Sequence, residues 1–359
     1  MGLCFILMLA IGIAGCKKKE EEPEKVEQEI EVEQEEQEVE EEKEEEVIPA
    51  NQNLLTGLAD LSEEGIGKRP VAVMINNVEA ALPQYGIAQA DLIFEIPVEG
   101  DLTRLMALYG DYTKVPQICS VRSCRKYFPA FSEGFDAVYV HWGMDTSILE
   151  YVNSLGLTRY DGTANTGGLY GRDQDRLNSG FSLEHTSYFD GTRLPEVMEQ
   201  RGERMDLEED KTGAAFLFNG MEEQIKPEGE ECNTINIDFG NALATLTYDS
   251  ESNTYLKKIN GNAQVDGKTG TQLAFTNVFV LETDIGIDPV NGVHKLVDWQ
   301  GSDDSVGYYI SNGTMQKIHW SKESEEAYLK FYTEDGEELS INRGKSYIAV
   351  NHVGQATFE

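Results

Sequence analysis

A set of side chains between positions 95 and 185 has the types needed to hold an anion or move a proton. They are Glu95, Glu99, Arg104, Arg122, Arg125, His141, Arg172, Arg176 and His185. A guanidinium is a rigid fork that matches carboxylate or phosphate oxygens. An imidazole changes charge near neutrality. Glu95 and His141 fall near the ends of apolar, strand-like runs, and Arg104 opens another. In α/β sheets such ends face ligand crevices. Arg122 and Arg125 stand three apart at the expected start of a helix, on one face, where backbone N–H groups add donors. The pattern fits an anionic ligand such as a peptide carboxylate or a sugar acid. The same residue types also make ion pairs that only fix loops, Glu95 or Glu99 with Arg104 for instance.

Other chemistries have less support. His141 and His185 would make one acid/base pair, but no nucleophile stands at a known spacing, and Ser123 has no Gly-x-Ser-x-Gly elbow. Cys124, between two arginines, is either a reactive thiolate or a small core side chain. Cys119, Cys124 and Cys232 are an odd set with no repeated pair, unlike a zinc site or a disulfide framework. Cys119 and Cys124 are therefore either paired or buried thiols. The five His are scattered, so neither a metal ligand set nor a cofactor motif is expected. Trp142, Trp299 and Trp320 are either sugar platforms or core packing. No catalytic residue is assigned.

The elements that must position these groups follow from periodicity. Val71 to Ile75, Leu92 to Ile96, Leu105 to Tyr109 and Ala137 to His141 read as strands. Helical spacing covers Arg122 to Glu133, Thr146 to Leu155 (Asp145 as N-cap, Gly156 as stop) and Leu194 to Glu199. Residues Asp161 to Gly180 hold no apolar run and read as a long polar loop. Strands alternating with helices predict an α/β domain over residues 51–211. Beyond the charged stretch Arg201 to Lys211 the pattern becomes short strands: Ala214 to Phe218, Thr234 to Ile237, Ala242 to Tyr248, Tyr255 to Ile259, Ala274 to Leu281, Gly307 to Ile310, Met315 to Trp320, Tyr328 to Tyr332 and Ser346 to Val350. Turn pairs such as Asn260-Gly261 and Asn312-Gly313 separate them. Residues 212–359 therefore read as a mostly antiparallel, β-rich domain.

The N-terminus carries a different message. Leu3 to Ile13 is apolar but too short to span a bilayer core, which needs about 20 residues. It has the length of a secretion signal's apolar region. It ends in Ile13-Ala14-Gly15-Cys16, which resembles the lipobox of bacterial lipoproteins. That resemblance implies a signal peptide over residues 1–15 and lipid attachment at Cys16. Only Met1 and Gly2 precede the apolar run, where a signal carries Lys or Arg, so the true start is expected a few residues upstream. Residues 17–46 hold 17 Glu and 5 Lys, a net charge of −12. Such a stretch has too little apolar surface to offset its ordering entropy. Residues 16–50 therefore read as a disordered acidic tether, able to reach on the order of 100 Å when extended.

Of the total charge of −36, −24 lies outside residues 17–46. That balance repels nucleic acid, and no basic stripe relieves it. It repels anionic wall polymers as well, so an anionic ligand needs a local arginine cluster.

Several motifs resemble the YerB-like lipoproteins, a bacterial family named as a domain of unknown function. These are Arg69-Pro-Val-Ala-Val-Met-Ile-Asn-Asn77, Pro83-Gln84-x-Gly86, Ala90-Asp91, Val98-Glu-Gly-Asp-Leu-Thr-Arg104, Val121-Arg-Ser-Cys-Arg125, His141-x-Gly143 and His185-x-x-Tyr188. The chain departs at Asp101 (Gly in the family), at Ser120 and Cys124 (Pro and Ala), and at Glu184 and Thr186, which replace the outer residues of Pro-His-Asn. The resemblance implies an α/β N-terminal domain, a β-rich C-terminal domain and lipoprotein targeting, with no established activity. The expected protein is a lipid-anchored, extracytoplasmic binding module on the outer face of the bacterial cytoplasmic membrane. Its ligand would be a peptidoglycan fragment, a peptide or an envelope protein. The alternatives are a wall-modifying hydrolase or transferase using His141 and His185, or a structural scaffold in the envelope.

Overall fold

The computed structural model describes residues 47–359 apart from Asn165, so Cys16 and the acidic stretch lie outside the described residues. The run Val71–Asn76 forms β1, with every side chain buried. It is flanked by β2 (Leu92–Pro97), β3 (Thr103–Tyr109), β5 (Val138–His141) and β6 (Arg159–Asp161), while β4 (Gln117–Cys119) belongs to a separate small sheet. Strand β3 runs antiparallel to both β1 and β2, and β5 and β6 run parallel to β1. On the far side β2 pairs in parallel with Ser346–His352, and that strand pairs with Asn277–Thr283. The antiparallel strands Gly301–Ser311 and Thr314–Ser321 continue the same sheet. One eleven-stranded sheet thus draws on both halves of the chain.

Period-two alternation explains the layers. Val71, Val73 and Ile75 share one core with Ile235, Leu246 and Tyr255 of a second, antiparallel sheet built from Thr234–Asp238, Leu243–Asp249 and Thr254–Ile259. Ala72 and Met74 point the other way, into a core with Phe128, Phe131, Tyr139, Phe279 and Trp320. Both faces are covered, so the strands read as continuous apolar runs rather than alternating ones. The N-terminal half is α/β and the C-terminal half mostly antiparallel β.

Three local expectations change. The helix expected from Arg122 begins only at Phe128 and ends at Gly134 (α1). Pro129 sits in its first turn, where its missing N–H costs nothing, and it bars extension backwards. The backbone upstream is committed elsewhere: Val121 N donates to Ser187 O, Arg122 N to Met74 O and Cys124 N to Gly143 O. Arg122 and Arg125 therefore stand on an irregular segment, not on a helix face. The polar stretch 161–180 holds a strand, β7 (Tyr170–Arg172), and a short helix, Gln174–Asn178, capped by Asp173. Strand β7 pairs with β8 (Ser187–Asp190), which also pairs with β4. The apolar run at 214–218 contributes only Leu217–Phe218 as strand.

Candidate functional site

Because β1, β2, β5 and β6 run the same way, their carboxyl ends share one edge of the sheet, together with the start of β3. That edge gathers Asn76, Glu99, Arg104 and His141. The irregular segment 121–125 crosses it, bridging to Ile75. The sequence-predicted residues separate there into distinct groups.

Glu95 is fully enclosed. Its Oε1 accepts from Asn77 Nδ2 and Thr103 Oγ1, each at 2.8 Å, and its Oε2 accepts from the Tyr347 hydroxyl at 2.7 Å. Lys257 of the second sheet stands 3.0 Å from Oε2 and is equally enclosed. All its contacts are internal, which makes Glu95 a structural group rather than a ligand contact. Lys257 was missed in the sequence. Its signal was the inward phase it shares with Tyr255 and Ile259.

Glu99 bridges two arginines. Arg104 Nη2 donates to its Oε1 at 2.7 Å, and Arg125 reaches both oxygens at 2.9 Å. Arg104 also donates to Ser123 O, and Arg125 to Cys124 O. Burial pushes the Glu99 carboxyl up, but the two guanidiniums together hold it below its ordinary value. Burial, reinforced by the charge of Arg125, lowers Arg104 to about 10. His294, on the turn paired with Glu99, adjoins this triad and was not predicted.

Arg122, Arg172, Glu184 and His185 form a more open group. Arg122 Nη2 lies 3.1 Å from Glu184 Oε2, and His185 Nε2 lies 3.9 Å from Glu184 Oε1. Asn76 Nδ2 donates to His185 Nδ1 at 3.0 Å, which leaves the ring proton on Nε2. Arg172 lies over the Trp142 ring at 4.3 Å and donates to Leu183 O. Gly162 permits that stack, since a Cβ there would come within 2.6 Å of the indole. The Arg122 Nε is buried, and among the described residues it has no hydrogen-bond partner. Arg122 also acts electrostatically on Arg104 and Arg172, so this group continues into the first triad.

His141 stands apart from His185. Its Nδ1 donates to Gly143 O at 3.0 Å, and its charge is felt by Asp161. Burial lowers its pKa, with Asp161 acting against the shift. His185 instead answers to burial, Glu184, Arg122 and Arg176. Arg176 is enclosed beneath the group and donates to the carbonyls of Ala81, His185 and Pro83. The three body cysteines are buried free thiols. Among the described residues no group of three or more His, Cys, Asp or Glu is placed to hold a metal ion. No helix among them is long and apolar enough to cross a membrane.

The family described as protein of unknown function (DUF3048) matches this chain twice, its N-terminal domain over residues 55–204 and its C-terminal domain over residues 235–348. The chain belongs to the DUF3048 family. Among its relatives is the "Putative lipoprotein YerB" of Bacillus subtilis (strain 168), 27% identical over 308 residues, which span 82% of this chain and 85% of that protein. The crystal structure of the YerB protein from Bacillus subtilis superposes with a TM-score of 0.72 at 26% identity, covering 85% of this chain and 98% of that one. The resemblance read from the motifs holds across both DUF3048 domains. Likeness to a lipoprotein also accords with the Cys16 motif.

Proposed function

We propose that this protein is a non-enzymatic, lipid-anchored binding module of the cell envelope. Cys16 would carry the lipid, the acidic stretch would act as a tether, and the N-terminal half would take an anionic ligand. The ligand class is a wall fragment, a peptide or an acidic segment of an envelope protein.

The observation that carries this reading is an excess of guanidinium at one sheet edge. Arg104, Arg122, Arg125 and Arg172 are gathered there; among the described residues the carboxylates within ion-pair distance of them are Glu99 and Glu184, with Asp145 adding a weaker attraction to Arg125. Against a net charge of −36, this local concentration of positive charge is what an anionic ligand would need for attraction to this chain. The buried, unpartnered Nε of Arg122 points the same way, because an unmet buried donor costs about 1–3 kcal/mol. A hydrolase using both histidines gains no support, since His141 and His185 have separate partners.

Thermal melting with soluble peptidoglycan fragments and acidic peptides tests the reading. A ligand that raises the melting temperature of the natural protein, but not of an Arg122→Ala, Arg172→Ala double variant, is the expected result. Equal shifts in both proteins would place binding elsewhere.

A further inference from the structure

We infer that the Glu184 carboxylate is an internal stand-in for the ligand, and that the ligand's recognised group is itself a carboxylate. This rests on the anion-site reading above and names its chemistry. Glu184 lies in a one-turn helix, Leu183–His185, on the outer rim of the arginine group. Its side chain is 56% exposed, yet its two oxygens face two donors, Arg122 Nη2 at 3.1 Å and His185 Nε2 at 3.9 Å. The donors are better held than the acceptor. His185 is buried and fixed by Asn76, and the Arg122 backbone is tied to Met74 and Trp142.

A planar, two-oxygen group fits between these donors, because each oxygen meets one of them. The fit is loose on the histidine side, where 3.9 Å exceeds hydrogen-bond length, and Arg122 Nε takes no part. An incoming carboxylate free of the Glu184 backbone can approach both donors more closely. Beside this position Arg172, stacked on Trp142, and the exposed Leu183 form a wall that is cationic and apolar together. That wall suits a carboxylate carried on a short apolar or ring-bearing group, such as the C-terminus of a peptide. Displacing Glu184 costs little, since an exposed ion pair holds its position by a factor of about five at most. The pair therefore closes the site without blocking it.

Calorimetric titration of the full chain separates the possibilities. The probes are an acetylated dipeptide with a free carboxylate, its C-terminal amide, and inorganic phosphate. Glu184→Gln is expected to bind the free carboxylate roughly fivefold more tightly than the natural protein. Arg122→Ala is expected to abolish binding, and the amide to bind neither protein. Equal affinity in the natural protein and Glu184→Gln would overturn the stand-in while leaving the anion site intact. Phosphate binding without carboxylate binding would overturn the ligand class. Absence of all binding in both proteins would remove the anion site itself.

Discussion

The Lys257 ammonium and the Glu95 carboxylate meet at 3.0 Å with neither side chain exposed, across the interface between the central sheet and the second sheet. Two enclosed charges are tolerated because polar partners surround both. Gln264 Oε1 accepts from Lys257 Nζ at 2.7 Å, while Asn77, Thr103 and Tyr347 satisfy Glu95. Removing one partner leaves the other uncompensated, which costs about 3–5 kcal/mol. Lys257→Met is therefore expected to destabilise by that amount in urea unfolding. Pairing it with Glu95→Gln should return part of the loss. A Lys257→Met protein of natural stability would overturn that cost.

Arg104 and Arg122 should part company on substitution. Arg104 is nearly enclosed and splits its donors between Glu99 and Ser123 O, so Arg104→Ala is expected to cost about 3 kcal/mol. Arg122 has a partly exposed side chain and pairs with an exposed carboxylate, a contact worth up to about 1 kcal/mol. Chemical denaturation of both alanine variants checks this. A large loss for Arg122→Ala would make it a scaffold residue like Arg104.

The thiols should be inert in the native state. Burial pushes Cys119 and Cys124 up to about 12 and Cys232 to about 11, and the arginines near Cys124 do not offset it. The thiolate is the reactive form. Ellman's reagent at pH 8 is expected to label none of the three until denaturant is added. Rapid labelling of Cys124 in the native protein would contradict its enclosure.

Stability should fall on mild acidification. Burial holds His141 and His185 below the ordinary histidine value of 6.5. Below that value the unfolded chain takes up protons that the folded chain refuses. Their contribution is thus present above pH 6.5 and is lost as pH falls through the folded pKa. Unfolding free energies measured from pH 7.5 to 5.5 should decrease, and His141→Gln should flatten the decrease. An unchanged slope in that variant would assign the effect to other groups.

Much of the fold was legible because burial leaves a periodic trace. The central strands appeared as apolar runs, and Asn260-Gly261 and Asn312-Gly313 adopt the positive φ angles that their turns require. The helix start at Phe128 was not legible, because the segment before it is held by backbone pairing to Ser187, Met74 and Gly143, residues distant in sequence. The site was legible in its residue types but not in its grouping. Glu95 and Arg122 look alike in sequence. One faces an enclosed lysine 162 positions later and the other an exposed glutamate 62 positions later, and only tertiary pairing separates them. The Cys119–Ser120 peptide is cis, which no composition or spacing could foretell.

The seam between β2 and Ser346–His352 has a consequence for the order of events during synthesis. A chain made from its N-terminus exposes the outer edge of β2 until residues 346–352 have emerged. An open strand edge is a template for mispairing with other chains, and contacts so distant in sequence form slowly. Ser346–His352 works as a keystone. A product that stops short of residue 346 leaves the middle of its own sheet unclosed.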